Sequence, residues 1–122
     1  MLLMPELFRL EKEEFSEIYQ EKQWTYLLLF EFIFNRRKIN KITITDHSQK
    51  KKGREYITNE LILNIFKENL NGERREPTKI HKKREVFVEE RIPYGDKEYL
   101  LVFWFENNNS DWLWVRNCYP IS

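Results

Sequence analysis

The 122-residue sequence predicts an α+β domain: a three- to four-stranded antiparallel sheet packed on one helix, preceded by a helical extension over residues 1–40. Three observations predict it. The apolar period changes from helical to two at Glu85. Residues 58–70 carry both the start and the stop signal of an amphipathic helix. Four Trp, six Tyr and nine Phe in a chain this short supply one core and not two, so residues 1–122 form a single domain with 41–122 as its α+β body.

Taken in order, residues 5–22 read as an amphipathic helix. Pro5 suits a first helical position and Glu6 the first turn, and Leu7, Phe8, Leu10, Phe15, Ile18 and Tyr19 fall on neighbouring turns. The run Trp24 to Phe34 has the length of a buried helix and the aromatic content of a strand covered on both faces; helix is the preferred reading, and Arg36, Arg37 and Lys38 then complement its negative end. Lys41 to Thr45 alternates in period two and reads as a short strand, after which Thr45 or Asp46 caps a helical turn running toward Gly53. Thr58 caps the firm helix, whose Leu61, Ile62, Ile65, Phe66 and Leu70 share one face before Asn71-Gly72 stops it. Strands follow over Val86–Ile92, Glu98–Glu106 and Asp111–Tyr119, joined by Pro93–Asp96 and Asn107–Asp111 as an antiparallel meander.

Several classes are excluded. One cysteine, Cys118, makes no internal disulfide and no cysteine-based zinc site, and its default reading is a buried, inert thiol. Residues 1–7 lack the pattern of a secretory signal, and the eleven residues from Trp24 to Phe34 fall well short of the roughly 20 that span a bilayer. The expected location is cytoplasmic, without membrane contact. With only Gly53, Gly72 and Gly95 there is no glycine-rich phosphate loop, and no spacing of His and carboxylates makes a recognisable metal site, so neither cofactor nor metal is expected.

The formal net charge of +1 hides an asymmetry. Residues 1–35 carry three basic and seven acidic side chains, net −4; residues 36–84 carry fifteen and six, net +9; residues 85–122 carry three and seven, net −4. A basic middle attracts phosphates even in a neutral protein, although a solvated face explains the same charges equally well.

The motif Thr45-x-His47, with Lys51 four positions on, Arg54, and Ile57-Thr58 before the helix, resembles the opening of small uncharacterised bacterial domains related to RelE-, ParE- and BrnT-type toxins. The end is similar: Leu101-Val-Phe-Trp-Phe105 leads to a final strand closing on Val115-Arg-Asn-Cys-Tyr119-Pro120. The likeness covers roughly residues 41–121, and it departs at Arg54, where that group has its basic residue one position later, and at Lys51, where it more often has Arg. It implies a fold of the barnase, EndoU, colicin and RelE type, and a nucleic-acid-binding domain of the toxin–antitoxin kind that cleaves RNA without metal.

Metal-free RNA cleavage needs a base for the 2′-hydroxyl, an acid for the leaving oxygen and cations for the phosphorane charge. His47, Arg54 and Tyr119 are the candidate catalytic residues, and Lys51, Arg84 and Arg116 the candidate substrate-binding cations. His81 and Tyr99 are further proton-transfer candidates, and Trp104, Trp112 and Trp114 a candidate platform for stacking bases. Expected partners are RNA, an antitoxin or other protein, and a second copy of the chain. The competing reading is a non-catalytic protein-interaction module in which the tryptophans and the acidic N-terminal segment form an interface.

Overall fold

The computed structural model describes residues 6–121. Nine strands and one helix follow one another as β1 (Phe8–Ser16), β2 (Glu21–Leu28), β3 (Ile33–Phe34), β4 (Arg37–Lys38), β5 (Lys41–Thr45), α1 (Asn59–Asn69), β6 (Lys79–His81), β7 (Arg84–Tyr94), β8 (Lys97–Phe105) and β9 (Trp112–Ile121), with 3₁₀ turns at Asp46–Ser48 and Glu106–Asn108. Seven strands make one sheet in the order β1-β2-β5-β9-β8-β7-β6, and β3 with β4 forms a separate hairpin. The sheet is mixed, because β5 runs parallel to β9 while every other neighbour is antiparallel.

This mostly-β architecture corrects the expected α+β domain with its helical N-terminal extension and its three or four antiparallel strands. Residues 8–28 form two strands of the main sheet, paired from Phe8↔Leu28 to Ser16↔Glu21. Two features disguise them. An extra residue at Glu11, where the register slips between Leu10 and Lys12, interrupts the period of two. In β2 the buried residues include Glu21, Gln23 and Thr25, so one covered face is polar and reads in sequence as solvent-facing. Pro5, the proposed helix start, lies outside the described residues. The run from Trp24 ends as strand at Leu28, and Arg36 to Lys38 complement no helix: Asn35 and Arg36, at φ 52° and 62°, form a two-residue turn that brings Phe34 opposite Arg37. His81 lies on the edge strand β6.

Other expectations stand. The Thr58 Oγ1 accepts a hydrogen bond from the Leu61 N–H at 3.1 Å, capping α1. At the far end Gly72 takes φ +84°, a left-handed backbone that lets the chain leave the helix. The meander β7-β8-β9 forms where the sequence places it, and a 3₁₀ turn follows β5 but ends at Ser48, short of Gly53.

The core lies between α1 with the β3–β4 hairpin and one face of the sheet. Ile62, Ile65 and Phe66 of the helix are fully buried with Ile42, Ile44, Leu113, Phe87 and Phe103 of the strands. Phe34 packs its ring edge to face on Phe87 and Phe103, with centroids 5.3 and 5.5 Å apart. The opposite face of the central strands is covered too, but by polar and amphipathic groups. Thr25 and Thr43 share a buried 2.7 Å hydrogen bond there, and the Trp112 Nε1–H donates to Thr43 Oγ1 at 2.8 Å. Among the described residues, no helix is long and apolar enough to cross a membrane.

Candidate functional site

The second face of the sheet carries a cleft of about 270 Å³ lined by Tyr19, Glu21, His47, Arg84, Trp104, Glu106, Trp114 and Arg116. Its floor is a cross-strand pair: Trp104 of β8 faces Trp114 of β9, and alternation along each strand turns both away from the core. One side of the cleft is Arg84, the first residue of β7, whose guanidinium lies 5.0 Å from the Trp104 ring centre. Its Nη2 is 3.7 Å from Glu106 Oε1, which also accepts the Trp104 Nε1–H at 3.2 Å. Trp104 is thereby occupied on one face. Among the described residues, no cation stacks on Trp114, which lies beside Trp112 with ring centroids 6.2 Å apart.

The other side depends on a β-bulge. Val102 pairs with Asn117 while Phe103 pairs with Val115, so Arg116 is the extra residue of β9. Arg116 joins Trp114 on the cleft face, and the bulge shifts the strand's phase so that Cys118 returns to the core. Its Nη1 stands 3.9 Å from Glu21 Oε2. Glu21 is only 8% exposed, and that oxygen is buried with no hydrogen-bond partner. A buried carboxylate oxygen left without a donor costs stability, which marks Glu21 as a group held there for a role in the cleft.

His47 is delivered by the 3₁₀ turn after β5. Beyond the last β5 partner, Val115, strand β9 has a free edge, and the Ser48 Oγ accepts a hydrogen bond from the Cys118 N–H at 3.1 Å. That contact docks the turn. Lys50 adds to it, donating to the Gln20 carbonyl at 2.6 Å and lying 3.5 Å from Asp46 Oδ1. Partial burial holds the His47 imidazole below its ordinary 6.5, and the positive charges of Arg116 and Lys51 act in the same direction, against the opposing pull of Glu21. The imidazole is therefore neutral at physiological pH and able to accept a proton.

Of the six predicted site residues, His47, Arg84 and Arg116 meet in the cleft. Lys51 is exposed nearby, close enough for its charge to act on His47. Arg54 and Tyr119 lie elsewhere, stacked on each other with the guanidinium 4.9 Å from the ring centre. Arg54 Nη1 is buried there without a hydrogen-bond partner, and the neighbouring Cys118 thiol is pushed up to about 12 by burial. Tyr99 belongs to the core at 3% exposure, where burial raises its phenol. His81 sits exposed on the edge strand.

Sequence reasoning missed Glu21, Glu106 and Tyr19. The spacings Trp104-x-Glu106 and Trp114-x-Arg116 were legible as same-face pairs once the strands were assigned, whereas Glu21 comes from a segment read as helix. Comparison of the chain with family models, with curated proteins and with solved structures returns no match.

Proposed function

We propose that the protein binds single-stranded RNA in the two-tryptophan cleft and cleaves it without a metal ion. The carrying observation is the convergence of His47, Arg84, Arg116 and Glu21 around the Trp104 and Trp114 pair. A base stacks on Trp114, an interaction worth on the order of 1–3 kcal/mol, and the adjoining phosphate lies between the two guanidinium groups. Neutral His47 takes the proton of the 2′-hydroxyl as that oxygen attacks the phosphorus. The P–O5′ bond breaks, and a water molecule relays the proton from the imidazolium to the departing 5′-oxygen. The Glu21 carboxylate stabilises the imidazolium, and Arg84 and Arg116 stabilise the extra negative charge on the phosphorane. The motif resemblance around Thr45-x-His47 and the net +9 of residues 36–84 support the same reading.

The test is incubation of the intact protein with single-stranded RNA in the presence of a chelator, beside the His47→Ala and Arg116→Ala variants. Cleavage leaving 2′,3′-cyclic phosphate ends is expected, with losses of about 10²-fold or more in His47→Ala. An intact protein that binds RNA but never cleaves it removes the enzymatic part of the proposal.

A second reading has its own observation. The β1–β2 hairpin exposes Phe15 at 56%, Ile18 at 87% and Tyr19 at 70%. Such residues on an edge hairpin suit a protein interface, whether with a second copy or with an inhibitory partner of the antitoxin kind. Sedimentation of the intact protein against an Ile18→Glu variant tests the homodimer: a monomer at all concentrations removes that form of the reading.

A further inference from the structure

Two hairpin turns at one end of the sheet use cations where the backbone asks for glycine or asparagine. Between β3 and β4, Asn35 and Arg36 stand at φ 52° and 62°; between β6 and β7, Lys82 and Lys83 stand at φ 50° and 66°. Positive φ at both central positions defines the turn type that favours Asn-Gly. Arg36, Lys82 and Lys83 are strained substitutes, since a side chain with a Cβ reaches this region only at an energetic cost. Nothing in the hairpin geometry asks for a cation there.

Both turns lie at the end of the sheet where β7 begins, one on each side of it: Arg84 faces the cleft, whereas Glu85 and Phe105 face the β3–β4 hairpin. Lys82 and Lys83 lead directly into Arg84. Glu85, next in the chain, lies 3.7 Å from Arg37 and helps line an open hollow of about 420 Å³ that also contains Arg36 and Arg74. Arg37 in turn stacks 4.4 Å from the ring centre of Phe105, the residue before Glu106 of the cleft. The acids around this end are already engaged: Glu73 and Glu89 by Arg75 at 2.9 and 2.8 Å, Glu85 by Arg37 and Glu106 by Arg84. Among the described residues, Arg36, Arg74, Lys82 and Lys83 form no ion pair. Glu76 lines the same hollow and makes no ion pair either, so the local balance stays positive.

We infer that an RNA strand held in the cleft continues past Arg84 onto this end of the sheet, its phosphates met by Lys82, Lys83, Arg36 and Arg74. The ligand is an extended single-stranded oligonucleotide, not a mononucleotide. The inference rests on the reading of the cleft as an RNA site and adds to it a direction and a minimum length.

The experiment measures affinity for 2′-O-methylated oligouridylates of two and ten nucleotides, which cannot be cleaved through a 2′-hydroxyl, across a range of salt concentrations. The protein is compared with an Arg36→Gly/Lys83→Gly variant, in which both turns gain the residue their backbone prefers, so the fold is retained. The intact protein should bind the decamer at least about tenfold more tightly than the dinucleotide. The variant should lose most of that advantage, and its slope of log K against log salt should fall by about 0.7 for each phosphate contact removed. Its dinucleotide affinity should not change. If the intact protein binds both lengths equally, or the variant keeps the full decamer affinity and slope, the extended track is overturned and the cleft reading survives. If the intact protein binds neither length, both fail.

Discussion

Replacing Arg116 with glutamine tests the cleft through two readouts that its geometry couples. At the 3.9 Å separation of Arg116 Nη1 and Glu21 Oε2, Coulomb's law gives about 1 kcal/mol in water and about 4 kcal/mol at an effective dielectric of 20. The arginine side chain is 42% exposed and the glutamate 11%, so solvent screening puts the net value near the lower figure, at about 1 kcal/mol. Arg116→Gln also leaves Glu21 buried with neither a cation nor a hydrogen-bond donor on Oε2, and Glu21→Gln in the same chain should recover part of the loss. The second readout is His47. Arg116 lowers its pKa and Glu21 raises it, so Arg116→Gln should move the titration upward and Glu21→Gln downward. The protein has only two histidines, so the His47 signal can be followed and assigned in a proton NMR titration. Urea unfolding of both single variants and the double variant supplies the energies. If both substitutions shift His47 in the same direction, or neither moves it, the three groups do not share a cleft and the site proposal fails.

Four other outcomes follow. His47 titrates below 6.5 in the folded protein, so between that value and 6.5 the unfolded chain binds more protons; stability should rise with pH through this window and level off above about 6.5, and a His47→Gln variant should flatten the rise in urea melts. Phe103→Ala should cost about 3–5 kcal/mol, because its buried ring lies 5.1 Å from both Phe66 and Phe87; a loss under about 1.5 kcal/mol would mean the helix does not pack there. Arg36→Gly should stabilise the chain by up to about 1 kcal/mol by relieving the positive φ, and an unchanged or lower melting temperature would count against strain in that turn. Cys118 should resist thiol reagents in the native protein and react on unfolding, since it is fully buried with its thiol pushed up to about 12; fast native labelling would contradict its placement.

The parts of the fold that sequence made legible are those where local signals and burial agree. Thr58 with Asn71-Gly72 bounds α1, and alternating apolar residues with two polar turns define β7 to β9. The first forty residues were misread because their burial pattern is not apolar. Strand β1 lies at an edge and is exposed along most of its length, and β2 hides Glu21, Gln23 and Thr25 under a polar second face. The candidate site divides in the same way. Arg84 and Arg116 stood out as cations in a basic region or beside tryptophans, and His47 as a titratable group and a motif residue; Arg54 and Tyr119, also motif positions, turn out to stack on each other away from the cleft.

By itself, then, the sequence determined the single core, the capped helix, the C-terminal meander and the basic middle of the chain, since these depend on composition and on neighbours a few residues apart. Only the tertiary structure decided that β5 runs parallel to β9 and that β2 pairs beside them. Only it brought Glu21 to within 3.9 Å of Arg116, ninety-five positions away in the chain. The physical reason is that a strand gains its hydrogen bonds from a partner that can lie anywhere in the sequence, so its own residues state its pattern without naming its neighbour. The cleft joins short local pairs from four such distant segments, β2, the turn after β5, β7 and the β8–β9 hairpin.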